Sequence, residues 1–297
     1  MKILLFGKSG QLGWELQRSL APLGELVALG SKGEALPSDF CEPDRLVNTV
    51  RQVRPDVIVN AAAYTAVDKA ESEQDKARLV DAVAPGVPAR AAQASGALLV
   101  LFSTDYVFDG SGSRPWREDD ATAPLNVYGA TKLEGERAVA QHCRHHLIFR
   151  TSWVYAARGG NFAKTMLRLA AERERLTVID DQFGAPTGAD LLADLTAHAI
   201  RATRAGPALA GLYHAVAAGE TTWHGYASHV IAHARRAGLA LKMAEDAIAP
   251  VPTSAFPTPA RRPANSRLDC TRLRTAFGLH LPDWRVGVDR MLQETLT

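Results

Sequence analysis

Tyr128 and Lys132 close the segment Tyr128-Gly129-Ala130-Thr131-Lys132. On a helix, residues at this spacing share one face and reach one ligand. A free phenol titrates near ~10 and is a poor acid at neutral pH. An ammonium beside it stabilises the phenolate and lowers that value, making the phenol a usable general acid. Reduction of a ketone needs a hydride at carbon and a proton on the developing alkoxide. Tyr128 is expected to supply the proton, while Lys132 tunes it and could hold a nicotinamide ribose. Tyr-x-x-x-Lys alone recurs by chance, and a tyrosine packed along a surface lysine stem is the plain alternative. Position separates the two: the pair opens a helix-like stretch, Val127–Gln141, just after an apolar strand-like run and a loop.

That strand-like run ends Leu101-Phe102-Ser103-Thr104-Asp105-Tyr106-Val107-Phe108-Asp109-Gly110. Polar groups at the carboxyl end of a parallel strand point into the ligand crevice. Thr104 is therefore placed to hydrogen-bond a substrate carbonyl beside Tyr128. Asp105 could bind sugar hydroxyls or initiate the turn, and Phe102 joins the candidate cofactor contacts. At the opposite end of the chain, Gly7-x-x-Gly10-x-x-Gly13 joins the first apolar run to the first helix-like stretch. Glycine there permits a tight turn and lets backbone N–H groups approach a pyrophosphate, and the following helix turns its positive end to the anion. The second strand ends Ala28-Leu29-Gly30-Ser31-Lys32-Gly33 with no acid at its tip. An acid in that place commonly takes the adenosine ribose hydroxyls. Gly30, Ser31 and Lys32 instead leave room for a 2′-phosphate, so NADPH is expected at least as well as NADH. A merely solvated Lys32 is the alternative.

These groups need a scaffold. Apolar runs at Lys2–Phe6, Glu25–Leu29, Asp56–Ala61, Ala97–Ser103 and His146–Thr151 alternate with helix-like Gln11–Leu20, Pro43–Val53 and Ser72–Ala94. Continuous Val/Ile/Leu strands separated by helices predict an α/β fold, a Rossmann-like doubly wound parallel sheet with right-handed crossovers. Beyond about residue 155 the pattern loosens, with helical candidates Asn161–Arg173, Ala189–Ala202 and Trp223–Ala237 between apolar runs such as Leu176–Ile179 and Gly211–Val216. Residues 1–155 are expected to bind the dinucleotide, with segments at about 175–205 and 223–240 returning to that domain. Residues 156–297 would form mainly a smaller, partly interleaved substrate lobe. Prolines at Pro250, Pro252, Pro257, Pro259 and Pro263 force extended or turning backbone, read as an ordered loop closing over a site.

Composition narrows the partners. The formal charge of +2 arises from 34 basic against 32 acidic side chains, which gives no reason to expect nucleic acid or an anionic membrane. Cys41, Cys143 and Cys270 are scattered and odd in number, implying neither a disulfide framework nor zinc. A cytoplasmic location is the simplest expectation. No stretch reads as a signal segment or a membrane span.

Together the motifs resemble a known superfamily. The glycine turn, Asn60-Ala61-Ala62-Ala63-Tyr64-Thr65-Ala66-Val67-Asp68, Ser103-Thr104-Asp105-Tyr106-Val107-Phe108 and Tyr128-x-x-x-Lys132 are similar to the extended short-chain dehydrogenase/reductases. Arg150-Thr151-Ser152-Trp153-Val154-Tyr155, Asn161-Phe162, Asp181-Gln182-Phe183-Gly184-Ala185-Pro186-Thr187 and Pro257-Thr258-Pro259-Ala260-Arg261-Arg262-Pro263 narrow the likeness to the dTDP-4-dehydrorhamnose reductase family. The resemblance implies reduction of dTDP-4-dehydro-6-deoxy-L-mannose to dTDP-L-rhamnose by NAD(P)H. It implies phosphate contacts from Gly10, Gln11 and Leu12, adenine flanked by Asp39 and Phe40, and a ribose side lined by Ala63, Tyr64 and Thr65. Tyr128 would be the proton donor, Lys132 its partner and Thr104 the third catalytic member, with Asp105 and Trp153 on the deoxysugar. Asn161 is a further candidate substrate contact. Trp223, like Trp153, could pack on sugar or thymine, or be core. Arg261 and Arg262 could offer forked donors to the diphosphate or simply be solvated. Some family members bind a divalent cation near a dimer contact. Glu15, Asp190 and Glu294 are the possible counterparts for Mg2+ and a homodimer here, although their spacing shows no metal site.

Two other readings share these residues. A related epimerase or dehydratase would keep and recycle its cofactor, and a dehydratase would also want an Asp-Glu pair that the Thr104-Asp105-Tyr106 run does not supply. A non-catalytic NADP-binding regulatory subunit could keep the glycines without needing Thr104, Tyr128 and Lys132 together.

Overall fold

The computed structural model describes residues 1–297 except Gly33, Glu245, Asp246 and Thr297, so the last residue of the Gly30–Gly33 turn lies outside the described residues. Six strands, β1 (Lys2–Phe6), β2 (Glu25–Leu29), β3 (Val57–Asn60), β4 (Leu98–Thr104), β5 (His146–Thr151) and β6 (Gly211–His214), form one sheet in the order β6-β5-β4-β3-β1-β2. Every pairing in it is parallel. β2 lies to one side of β1 and the other strands run away on the opposite side, so the order switches at β1 and β3. A crevice opens beyond the carboxyl ends of strands at such a point.

Alternate side chains of each strand feed two cores. Ile3, Leu5, Val57, Val59 and Val100 pack with Leu16 and Leu20 of α1 (Gln11–Leu20). Leu4, Phe6, Ile58, Leu99 and Leu101 pack with Leu46 and Val50 of α2 (Pro43–Val53) and Val87 and Ala92 of α3 (Ala84–Ser95). Covering both faces is what turns the strand sequences into continuous apolar runs. The third long element facing the crevice is α4 (Val127–His142). Its Glu136 forms a buried forked pair with Arg150 of β5, at 2.7–3.2 Å, which fixes α4 against the sheet.

The stretch 72–94, expected as one helix, is divided into Gln74–Arg78, a π-helical turn at Leu79–Val83, and α3. Pro85 has no N–H to donate to the carbonyl of Asp81 four residues back, and the helix widens there.

A third apolar cluster builds the lobe from α5 (Phe162–Glu172), α7 (Trp223–Arg236) and α8 (Trp284–Leu296). Between them in sequence, α6 (Ala189–Ala205) returns to pack on α1, and β6 completes the sheet. The segment 223–240 does not return: the apolar face of α7, with Tyr226, Val230 and Ile231, lies in the lobe cluster. The proline run begins as a strand, Ile248–Val251, paired with Leu176–Ile179. Its later part crosses back to the crevice, where Arg262 grips Asp68 and the Arg261 carbonyl accepts from Asn126 Nδ2. Among the described residues, no helix is long and apolar enough to cross a membrane.

Candidate active site

The glycine turn is shaped partly by the fold and partly by something the fold does not use. Gly7 sits at φ +85°, and a Cβ on Gly13 would lie 1.9 Å from the Gly7 carbonyl oxygen, so both must be glycine for β1 and α1 to pack. Gly10 is different. Its Cβ would meet only the Gly7 oxygen at 3.5 Å, an ordinary contact that internal packing tolerates. Gly10 caps α1 without any side-chain hydrogen bond, and the first turn has no acidic residue. The helix start therefore offers N–H donors and an uncompensated positive end, which suits a pyrophosphate. Gln11 donates from its side chain to the Gly160 carbonyl at 2.8 Å, tying the loop before α5 to this turn, and Leu12 packs on the core.

At the adenosine end the expectation of no acid at the tip of β2 is corrected. The loop folds Glu34 back so that Oε1 accepts from Gly30 N at 2.8 Å and pairs with Lys8 at 2.7 Å. Hydrogen bonds from Lys8 and Gly30 hold this carboxyl below its usual range. A cavity of about 260 Å3 beside it is lined by Ser31, Lys32, Glu34 and Asp39, among others. Asp39 also accepts from Cys41 N. Phe40 does not flank the cavity; its ring is buried edge-on against Phe6. Phe102 is likewise core, packed on Phe149. Ala63 and Tyr64 are half-buried and Thr65 exposed just beyond β3, with Tyr64 N donating to Asp81 Oδ1 at 2.9 Å.

Tyr128 and Lys132 lie on one face of α4 as expected, and the sequence reading missed the group that holds them. Lys132 is 3% exposed and its ammonium faces Asp81, itself 1% exposed, at 4.0 Å. Two glycines of α4 allow the approach. A Cβ on Gly135 would lie 2.0 Å from the Asp81 carbonyl oxygen, and one on Gly129 would lie 2.1 Å from that of Tyr106. Asp81 balances the ammonium. Burial, with the charges of Asp81 and Asp105, pushes Tyr128 well above its ordinary value, against a smaller pull from a Thr104 hydrogen bond. The expected depression is thus reversed: Tyr128 keeps its proton throughout the neutral range and stands as a donor. Asp81 carried only a faint signal, an acid inside the apolar run Val80-Asp81-Ala82-Val83.

Thr104, at the carboxyl end of β4, donates to Asp105 Oδ1 at 3.1 Å and accepts from Tyr106 N at 3.2 Å. Tyr106 packs edge-on against Tyr128, with ring centroids 5.8 Å apart. Asp105, beside it, is buried, at 2% exposure.

Trp153 and Trp223 stack at 3.7 Å. Trp153 holds φ +49°, a rare conformation for a bulky residue that points to a functional constraint. Its ring lies against Gly184, where a Cβ would be 2.7 Å away. Trp223 borders an apolar cavity of about 430 Å3 lined also by Phe162, Met166, Ile179, Arg173 and Arg175. Two expected substrate contacts are otherwise engaged. Asn161 caps α5 through Lys164 N and donates to the Ala156 carbonyl. Arg262 is held by Asp68, at 3.0 and 2.8 Å, and by Thr258. Arg261 is exposed.

Glu15, Asp190 and Glu294 do line one small cavity, of about 40 Å3, but Arg290 lies in it. Its guanidinium is 3.5 Å from Asp190 and 3.3 Å from Glu294, and Arg18 takes Glu15 at 3.4 Å. Guanidinium groups already balance these carboxylates, so the set as placed does not fit Mg2+. Among the described residues, no cluster of three or more acidic, His or Cys side chains could hold a metal.

A parallel sheet with an open-ended glycine turn at its switch point, facing a helix that carries Tyr128 and Lys132, defines a Rossmann-type, dinucleotide-dependent oxidoreductase. The model of the family described as RmlD substrate binding domain matches residues 1–297, and the chain belongs to that family. It is 61% identical over 297 residues to the dTDP-4-dehydrorhamnose reductase of Shigella flexneri, covering 100% of this chain and 99% of the relative. Identity to the enzyme of the same name from Escherichia coli K12 is 60%, with the same coverage. Among solved structures it is similar to a dTDP-4-dehydrorhamnose reductase from Bacillus anthracis in complex with NADP, with a TM-score of 0.89, 35% identity and 99% of each chain covered.

Helix glycines replaced by alanine usually gain up to about 1 kcal/mol. Gly135→Ala should reverse that sign, because the new methyl collides with backbone. Denaturant unfolding should show a loss of about 1–3 kcal/mol, together with a fall in turnover as Lys132 and Asp81 are driven apart.

Proposed function

We propose that the chain reduces the C4 ketone of dTDP-4-dehydro-6-deoxy-L-mannose, giving dTDP-L-rhamnose, with NADPH as reductant and Tyr128 as proton donor. The observation that carries the reading is the placement of Tyr128 on α4 together with the buried Lys132–Asp81 pair, at the end of β4 that carries Thr104. A bound nicotinamide cofactor supplies the hydride; its pyrophosphate would lie on the open start of α1 at Gly10. Tyr128 donates its proton to the ketone oxygen as negative charge develops there. Lys132 and Asp81 keep α4 seated so that this phenol points into the crevice. The stacked Trp153 and Trp223 offer an aromatic wall for the deoxysugar, and the neighbouring apolar cavity offers a berth for the base. Arg173, Arg175 and Arg261 are the guanidinium groups available to the diphosphate, since Arg262 is taken by Asp68.

Cofactor choice follows from Glu34. Its carboxylate would oppose a 2′-phosphate, and Lys8 offsets that charge, so both NADPH and NADH are accepted. Glu34→Gln should raise the NADPH-to-NADH ratio of kcat/KM by about tenfold, the effect of ~1.4 kcal/mol of removed repulsion. An unchanged ratio would place Glu34 away from the ribose.

Incubated with the dTDP-4-keto sugar, the protein should oxidise one equivalent of NADPH per sugar and yield dTDP-L-rhamnose; a cofactor-recycling epimerase would consume none. Tyr128→Phe should lower kcat by about 10²–10⁴-fold while NADPH still binds in a fluorescence titration. Retained turnover in that variant would defeat the assignment.

A further inference from the structure

We infer that Gln182 is a positioning residue for the nucleotide end of the substrate: its buried carboxamide fixes the two aromatic sides of the cavity proposed to hold the base. The inference rests on the ketone-reductase reading, which needs that aromatic wall and says nothing of what holds it. Gln182 is 3% exposed and lies between the strands Leu176–Ile179 and Phe183–Gly184. Its Oε1 accepts from Trp223 Nε1 at 3.0 Å, and its Nε2 donates to Thr253 Oγ1 at 3.0 Å. Trp223 and Phe256, the latter just beyond Thr253 in the chain, line the same cavity of about 430 Å3.

These bonds run in one direction only. An indole N–H can donate and never accept, so the amide oxygen must face Trp223 and the amide nitrogen must face Thr253. Thr253 completes the chain. Its hydroxyl and its backbone N–H both donate to Asp181, which leaves a hydroxyl lone pair for Gln182. One planar amide thus sets both the angle of the Trp223 ring and the point where the proline loop leaves the lobe.

The same amide accounts for one strained aromatic residue and one exposed one. Trp153 holds φ +49°, a conformation that persists only where its surroundings over-determine it. Those surroundings are the bare face of Gly184 and the Trp223 ring stacked at 3.7 Å. A rotated Trp223 would remove one of the two. Phe256 is 42% exposed, an apolar ring that a flat ligand in the cavity would cover. The loop carrying it is closed at its base, where Phe183 N donates to the Ala264 carbonyl at 2.8 Å and Ser266 N to the Phe183 carbonyl at 2.7 Å. Both ends of the loop are therefore fastened to Asp181-Gln182-Phe183. Gln182 itself touches no reacting atom.

The test compares Gln182→Met, which keeps the side-chain length and removes both hydrogen bonds, with Thr253→Val and Thr253→Ser, which remove and keep the hydroxyl. In NADPH oxidation, Gln182→Met should raise KM for the dTDP-4-keto sugar about tenfold, with kcat and the KM for NADPH within about threefold. Thr253→Val should raise KM in the same direction, and Thr253→Ser should return it to within about twofold of wild type. Gln182→Met and Thr253→Val share one bond, so the double variant should cost less than the product of the singles. Should Gln182→Met fail to fold, the two Thr253 variants carry the same comparison. An unchanged KM overturns the inference. So does a loss of kcat and NADPH affinity as large as the rise in KM, which would mark a residue that merely supports the fold.

A readout without turnover follows the Trp223 indole N–H by NMR of protein labelled at the indole nitrogen, with Trp223→Phe assigning the signal. Its proton should move upfield in Gln182→Met as the hydrogen bond is lost. Titrated into protein saturated with NADP+, dTDP should then bind about tenfold more weakly than to wild type, a difference of ~1.4 kcal/mol. Equal dTDP affinities, or a wild-type signal that dTDP does not shift, overturn the inference. If wild type oxidises no NADPH with the sugar, the reductase reading fails, while the dTDP titration still reports whether Gln182 holds a nucleotide site.

Discussion

A buried ammonium has to find a carboxylate, and Lys132 finds Asp81 across a π-helical turn that Pro85 leaves open. Removing either partner would strand the other charge out of water, an error of several kcal/mol. That constraint sets the distance between α4 and the preceding helical segment, and it explains why α4 carries glycine where it meets the carbonyls of Asp81 and Tyr106. The position of Tyr128 follows from the same contacts. A phenol on a loosely packed helix would wander; this one is pinned by backbone touching backbone on two sides.

The electrostatic consequence runs against the simplest intuition about a tyrosine beside a lysine. Proximity in sequence suggests that the ammonium acidifies the phenol. In three dimensions burial drives the phenol upward, and the charges of Asp81 and Asp105 add to the shift. A reductase is served by this outcome, because its acid must enter each cycle with the proton attached. The proline loop reinforces the arrangement from the far side, where Arg262 anchors it to Asp68 and also acts on Tyr106.

Much of this was legible in the residues. Strand and helix periodicity located the sheet, because burial on both faces writes itself as unbroken apolar runs. The glycine turn and the Tyr128–Lys132 spacing are local, so a linear reading captures them. What escaped was long-range. Glu34 reaches Gly30 only through the fold of its loop, and Asp81 reaches Lys132 only once two helices pack. Phe40 and Phe102 sit beside polar crevice residues in sequence yet turn into the core, since a strand or turn sends neighbouring side chains to opposite sides. The acids near Arg290 illustrate the same limit: Glu15, Asp190 and Glu294 do converge, but around a guanidinium.

Tyr128 is a protonated donor made less acidic by its surroundings. Its ionisation can be followed directly by NMR of protein labelled at the tyrosine ring carbon bearing oxygen, with Tyr128→Phe assigning the signal. The Tyr128 resonance should hold its phenol position beyond the ordinary tyrosine value of ~10. A shift to the phenolate position below about pH 8 would mean that Lys132 governs the phenol after all, and would contradict the account.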